Sequence, residues 1–245
     1  MRYMGSKARY AKAILAAISK NCNLADYENW VEPFVGGAHM IAVVTSMVRW
    51  GSDINPYLIC MFKATQNGWE PSDHYSEEAY QLAKGATKLA FNSSLNTAAE
   101  IGFIGIGCSY AGKWFGGYAR GGNTSDGRPV NYAKQSKNSL LRQKPLIQDV
   151  VFSEGHYENM CIPKNQSIIY CDPPYACTTK YSFGGRFEND KFWDWCNEMS
   201  QSGHKIFISE YQAPKGWQCI WENPVTSSLT KDTGSKTATE RLFTK

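Results

Sequence analysis

Apolar residues Ala11, Ile14, Leu15 and Ile18 recur at the spacing of one helix face, and Ser6 stands ahead of them as a cap for that helix. Trp30-Val31-Glu32-Pro33-Phe34-Val35 is a short, nearly unbroken apolar run, the mark of a strand buried on both sides. Gly36-Gly37 ends it, and the apolar stretch that follows predicts a helix from about Ala38 to Met47. A second short strand, Val48 to Ser52, delivers Asp53-Ile54-Asn55-Pro56-Tyr57, where Pro56 opens a further helix. Strand, glycine turn, helix and strand again is the opening of an α/β protein.

From about Phe62 to Val150 this alternation gives way to a polar stretch, a Gly-rich run from Ile101 to Gly122 and a basic segment. A subdomain inserted at 62–149, between the two parts 1–61 and 150–245 of a main domain, is expected. Alternation returns with strands at Val150 to Ser153 and Ser167 to Cys171, then a helix from about Asn189 to Ser202 whose Phe192, Trp195, Cys196 and Met199 share a face. Strands at His204 to Ser209, Gln218 to Trp221 and Glu240 to Phe243 complete the pattern. The fold class this predicts is α/β, a largely parallel sheet with flanking helices.

The 245 residues, 42% of them hydrophobic, suffice to bury a full core. No apolar run approaches the roughly 18 residues of a membrane span, and the first 20 residues are amphipathic where a signal peptide is apolar. A cytoplasmic protein with no membrane partner is expected. Eight cysteines form no C-x-x-C pair and the four histidines do not bracket them at ligand spacing, so structural thiols and no metal are expected. The net charge of +4 hides an asymmetry. Between Tyr110 and Pro145, Lys113, Arg120, Arg128, Lys134, Lys137, Arg142 and Lys144 stand against one acid, Asp126, which leaves the rest of the chain slightly acidic. Mixed with Tyr110, Trp114, Phe115, Tyr118 and Tyr132, that charge has the make-up of a phosphate-contacting surface; a solvated basic face has the same composition.

The run Ile168-Ile169-Tyr170-Cys171-Asp172-Pro173-Pro174-Tyr175 joins an apolar strand to an acidic, proline-locked, aromatic loop at a strand's carboxyl end, where open α/β sheets place their ligands. Asp172 accepts hydrogen bonds, the Pro173 carbonyl sits on backbone of restricted φ continued by Pro174, and Tyr175 offers a face for stacking. Together they suit a planar base carrying an amino group, and an ordinary proline turn with a buried tyrosine uses the same residues. Gly36-Gly37 let a ligand approach the backbone, and Asp53, at the end of the second strand, suits ribose hydroxyls. The lack of a G-x-G-x-x-G pattern argues against a dinucleotide. An adenosine ligand with an amino-acid tail fits better, with Glu32 and Lys7 on the charged ends of the tail. A simple tight turn is the plainer account of the glycine pair.

In their order the motifs resemble those of the Dam-type N6-adenine DNA methyltransferases, the alpha group of the D12 class. The matching residues are Tyr3-Met4-Gly5-Ser6-Lys7, Glu32-Pro33-Phe34-Val35-Gly36-Gly37, Asp53-Ile54-Asn55-Pro56-Tyr57, Asp172-Pro173-Pro174-Tyr175 and the run from Gly203 to Tyr211. The run Lys113-Trp114-Phe115-Gly116-Gly117-Tyr118-Ala119-Arg120 is similar to recognition segments of phage-borne members. The resemblance implies a Rossmann-like S-adenosylmethionine-dependent methyltransferase fold, with 62–149 as a largely helical target-recognition subdomain. It implies S-adenosylmethionine as co-substrate, contacted by Tyr3, Lys7, Asp53 and Asp172, with Glu32, Phe34, Gly36, Gly37 and Asn55 in the same motifs. Asp172, Pro173, Pro174 and Tyr175 are implied to carry the reaction. Double-stranded DNA is the implied partner, met through Lys113, Arg120, Arg128, Lys134 and Lys137 by a protein monomeric in solution, in a bacterial or phage-infected cell. One departure is Ala38, where many members carry a further glycine.

The reaction so implied is site-specific methylation of the exocyclic amine of an adenine flipped out of the duplex, as in restriction–modification. Asp172 and the Pro173 carbonyl would each accept one amine N–H, with the base stacked on Tyr175 and Ser182, Phe183 and Phe187 lining the pocket. Two alternatives stay open: a catalytically silent DNA-binding relative, and an enzyme acting on RNA adenine or cytosine N4. In related loops, cytosine enzymes usually carry Ser, and glutamine enzymes Asn, where this chain has Asp172.

Overall fold

The structure, a computed structural model, describes residues 1–89, 91–124, 126–175, 187–226 and 237–245. Strands β1 (Asn29–Glu32), β2 (Val48–Asp53), β3 (Val151–Glu154), β4 (Ser167–Cys171), β5 (Lys205–Glu210), β6 (Gln218–Thr226) and β7 (Thr237–Thr244) form one sheet in the order β3-β2-β1-β4-β5-β7-β6. The first five positions of that order are parallel, and β7 runs antiparallel to both β5 and β6. The open, mostly parallel α/β sheet expected from the chain is what forms. Helices α1 (Ala11–Asn21), α2 (Pro56–Gln66) and α6 (Asn189–Gln201) accompany it, while α3 (Glu77–Ala86), α4 (Leu95–Gly107) and α5 (Tyr132–Gln143) lie in the chain between α2 and β3.

Both faces of the sheet are covered, which explains why its central strands read as unbroken apolar runs. Trp30, Ile168, Tyr170, Phe207 and Leu242 pack in one buried cluster with Ile14 and Ile18 of α1 and Leu58 and Phe62 of α2. Val31, Ile169, Cys171, Ile206, Ile208 and Phe243 pack in the other, with Phe192, Trp195 and Cys196 of α6. Neighbours in sequence thus go to opposite faces. The first cluster continues into Phe103 and Ile104 of α4 and Leu140 of α5, so these helices share the main core.

The Gly-rich run begins inside a helix: α4 continues to Gly107, and its glycines are its contact surface. A Cβ on Gly102 would lie 2.2 Å from the carbonyl oxygen of Tyr57, so only glycine lets α4 come this close to α2. The helix expected at 38–47 is reduced to one 3-10 turn, Ile41–Val43. Ala38 has φ +54°, and the carbonyls a helix would use are taken by distant side chains: Gln143 donates to those of Gly37 and Ala38 at 2.8 Å each, and Arg49 to that of Ile41 at 2.9 Å. Ser6 does not cap α1 itself. The Lys7 carbonyl accepts from Tyr10 and Ala11 at 2.8 Å, while the Ser6 hydroxyl accepts from the Ala8 N–H at 3.1 Å and meets His39 Nδ1 at 3.0 Å. Among the described residues no helix is long and apolar enough to cross a membrane, and no group of three or more His, Cys, Asp or Glu is arranged to hold a metal ion.

Candidate active site

Strands β1 and β4 are neighbours, yet the chain leaves β1 for β2 on one side and β4 for β5 on the other. A crevice at their carboxyl ends follows from that reversal. Strand alternation decides what faces it. Trp30, Tyr170 and Leu242 share the cluster on one face, and the residue two positions nearer the carboxyl edge is in each case an acid: Glu32, Asp172 and Glu240. Because β7 runs against the parallel strands, Glu240, early in its strand, comes to the same edge as the end of β4. The N-terminal loop lays Lys7 across this acidic row.

Lys7 Nζ lies 2.7 Å from Asp172 Oδ1 and 3.3 Å from Glu240 Oε1, and 3.5 Å from the Gly5 carbonyl oxygen. The Tyr175 hydroxyl donates to Glu240 Oε1. Lys7 Nζ also stands 4.9 Å from the centre of the Tyr175 ring, a cation–π contact, and that ring packs edge-to-face on Tyr211 with centroids 4.7 Å apart. The side chains of Lys7 and Glu240 are each 9% exposed and that of Asp172 21%, so Asp172 is the member of the trio most open to an incoming group. Burial pushes the Asp172 carboxyl above its ordinary pKa; Lys7 opposes this and Glu240 adds to it. Burial pulls the Lys7 ammonium down, but Asp172 and then Glu240 outweigh it and hold it above its usual value. Pro173 is buried and Pro174 half-buried between the acid and the tyrosine.

Glu32 is buried and accepts from the Trp30 indole N–H at 2.7 Å, and burial holds its proton well above the ordinary carboxylate range. Asp53, half-buried, accepts the Gly36 N–H on one oxygen at 3.1 Å and the Asn55 N–H on the other at 2.9 Å, while burial raises its pKa to about 6. The Asn55 side chain caps α2 by accepting from Tyr57 and Leu58. Gly36, at φ +45°, is backed by the Tyr3 ring, which a Cβ would meet at 2.9 Å. Tyr3, Gly36, Gly37, Asp53 and Asn55 are therefore brought together. Phe34 is directed elsewhere, packing on Tyr157, Phe187 and Phe192 with centroids 5.4–5.9 Å apart. Phe187 is thus part of an aromatic cluster; Ser182 and Phe183 lie outside the described residues.

The cations of the basic segment are not as free as their sequence density suggests. Arg120 pairs with Glu77, Arg128 with Asp126 at 2.9 Å, Lys134 with Asp73 at 3.7 Å, and Lys137 with Asp73 at 3.1 Å and Glu70 at 3.6 Å. Three of these four acids precede the basic segment in the chain, so its local charge count overlooks them. Among the described residues no ion pair involves Lys113. A polar groove of about 290 Å³ opens along one face of α5, where Tyr132, Gln135, Ser139 and Arg142 meet Arg2 of the N-terminal loop. The Arg2 guanidinium lies 5.7 Å from the Tyr132 ring centre. Glu240 and Arg2 belong to no motif read from the chain, and Tyr211 ends a motif for which no site role was read. The one available sign for Glu240 was an acid in inward register with Leu242.

The motif order on this sheet and a family match over part of the chain make the protein similar to one class, the methyltransferases. Within that class, residues 3–100 match the model of the D12 class N6 adenine-specific DNA methyltransferases, which bears out the resemblance read from the motifs. No curated protein matches the chain. Among solved structures, the chain is similar to that of SMU.472, to which methyltransferase activity is attributed, complexed with SAH: 13% identity, TM-score 0.35, covering 99% of this chain and 54% of the other. The chain thus spans about half the length of that protein.

Proposed function

We propose that the protein transfers the methyl group of S-adenosylmethionine to the exocyclic amine of an adenine flipped out of double-stranded DNA. The observation that carries this reading is the partly exposed Asp172 carboxylate at the carboxyl end of β4, followed directly by Pro173, Pro174 and Tyr175. The adenine amine is a poor nucleophile because its lone pair is delocalised into the ring. Two acceptors, Asp172 and the Pro173 carbonyl, each take one N–H and favour a tetrahedral nitrogen. Orientation and charge stabilisation then lower the barrier. The nitrogen bonds the methyl carbon as the carbon–sulfur bond breaks, and its extra proton leaves through the Asp172 hydrogen bond to solvent. The extruded base stacks on Tyr175, a contact of about 1–3 kcal/mol.

The hydrogen bonding of Asp53 supports a co-substrate site beside the glycine turn. Each carboxylate oxygen uses one acceptor position on a backbone N–H, leaving another for a ribose hydroxyl. S-adenosylmethionine supplies the electrophilic methyl group on a sulfonium. Tyr3, Gly36, Gly37 and Asn55 shape the turn it would rest on, with Glu32 and Lys7 assigned around its tail. In this reading residues 62–149 are the target-recognition subdomain of a catalytic domain formed by 1–61 and 150–245. Lys113, Arg120, Arg128, Lys134 and Lys137 meet the phosphates, joined by Arg2 and Arg142 at the groove on α5.

The test is to incubate unmethylated DNA with the protein and labelled S-adenosylmethionine, then map modified adenines by sequencing. Label on adenine N6, lost in Asp172→Ala with the fold intact, is the expected result. DNA binding without transfer would instead identify a silent relative, and label on cytosine or on RNA would replace the substrate.

A further inference from the structure

We propose that Glu240 is a positioning residue for methyl transfer, holding the Lys7 ammonium and the Tyr175 hydroxyl together so that Asp172 keeps its acceptor strength for the target amine. The inference rests on the functional reading above and assigns a role to a side chain outside every recognised motif.

An ammonium has three N–H donors, and those of Lys7 have three acceptors in reach: Asp172, Glu240 and the Gly5 carbonyl. One positive charge is thereby shared by two carboxylates in a site where all three side chains are largely buried. Without Glu240 the ammonium would belong to Asp172 alone and would draw charge from the oxygens that must attract the amine. With it, the trio keeps an excess negative charge, and Asp172 is its most exposed member. Glu240 also fixes the Tyr175 ring through its hydroxyl, in an edge-to-face contact with Tyr211 and beneath the Lys7 ammonium. A single carboxylate on an antiparallel strand therefore sets both the charge beside the acceptor and the orientation of the stacking ring.

The geometry separates this role from simple burial of an ion pair. Asp172 is faced by Lys7 from the N-terminal loop, Glu240 from β7, Tyr175 from its own loop, Tyr170 and Cys171 from β4, Glu32 from β1 and Tyr211 from the segment after β5. Glu240→Gln removes one negative charge from that set and keeps an oxygen for the Tyr175 hydroxyl. The Asp172 carboxyl then loses its proton more easily, so the acid limb of the kcat–pH profile moves to lower pH. A structural role alone would not move it.

The experiment compares wild type, Glu240→Gln and Tyr175→Phe in labelled methyl transfer across pH, with thermal melts. Flipping is followed by the fluorescence of 2-aminopurine placed at the mapped target. For Glu240→Gln we expect kcat to fall about 10- to 100-fold, KM for S-adenosylmethionine to stay within about threefold, and the acid limb to shift down. For Tyr175→Phe we expect a weaker flipping signal and an acid limb that stays in place. A Glu240→Gln enzyme with wild-type kcat and profile overturns the proposal, as does one whose kcat loss comes with an unmoved acid limb. Should Glu240→Gln not fold, Tyr175→Phe decides: wild-type kcat and flipping in that variant overturn the proposal. A wild type that transfers no methyl group to any DNA overturns the functional reading and this one with it, whereas an active wild type matched by its variants overturns this one alone.

Discussion

Lys7 and Asp172, 165 residues apart in the chain, meet at 2.7 Å across the carboxyl edge of the sheet. The contact ties the N-terminal loop, which also packs on the glycine turn through Tyr3, to the loop that follows β4. Parts assigned to co-substrate and to target are thereby held in one electrostatic unit, and changing either end has consequences for stability as well as turnover.

Replacing Lys7 by Met leaves Asp172 and Glu240 facing each other without their shared cation. We expect a loss of about 3 kcal/mol at pH 8, the usual result of removing one partner from a largely buried ion pair. Without the cation Asp172 holds its proton more tightly in the folded state, so the loss is present when it is ionised and shrinks as pH falls. Urea denaturation at pH 8 and pH 5.5 measures this; an equal loss at both would contradict it.

Asp53 has its pKa raised to about 6 by burial. A raised carboxyl means that between the unfolded value, about 3.9, and 6 the folded state binds more protons than the unfolded one. Its contribution to stability therefore falls as pH rises through that window, by about 2 kcal/mol once partial exposure is allowed for. Asparagine cannot titrate. The melting temperature of Asp53→Asn relative to wild type should thus climb from pH 4 to pH 7, and a flat difference would remove the assignment.

The approach of α4 to α2 depends on Gly102. Gly102→Ala would place a methyl carbon 2.2 Å from a backbone oxygen that cannot rotate away, so the helices must separate. Overpacking of this kind costs about 2–3 kcal/mol, or roughly 4–10 °C in melting temperature for a chain of this size. A calorimetric melt within 1 °C of wild type would show that the contact yields freely.

Asp73 holds both Lys134 and Lys137. If these lysines meet phosphates, they must exchange Asp73 for the duplex, and Asp73→Asn should tighten DNA binding by about three- to tenfold at low salt. The salt dependence should steepen as well. Fluorescence anisotropy across a salt series provides the check; unchanged affinity would place these lysines away from the DNA.

Much of this molecule was legible in its chain because the signals were local. Unbroken apolar runs marked strands buried on both faces, and Asp172-Pro173-Pro174-Tyr175 marked the carboxyl end of one of them. Local signals failed where distant groups intervened. The apolar stretch after Gly37 lost its expected helix to Gln143 and Arg49, which take the carbonyls that a helix needs. The glycines of α4 gave no sign of the contact they make, because nothing in their own neighbourhood reveals the backbone of Tyr57 lying against them.

By itself the sequence determined the sheet, its crevice and the identity of the acid and rings at its edge, since strand period, turn chemistry and motif order are properties of neighbouring residues. Only the tertiary structure decided which charges meet. It put Glu240 beside Lys7 because β7 runs backwards in the sheet, and it paired much of the basic segment with Glu70, Asp73 and Glu77 from earlier in the chain. Electrostatic partners are chosen by distance in space, and chain order carries no record of that distance.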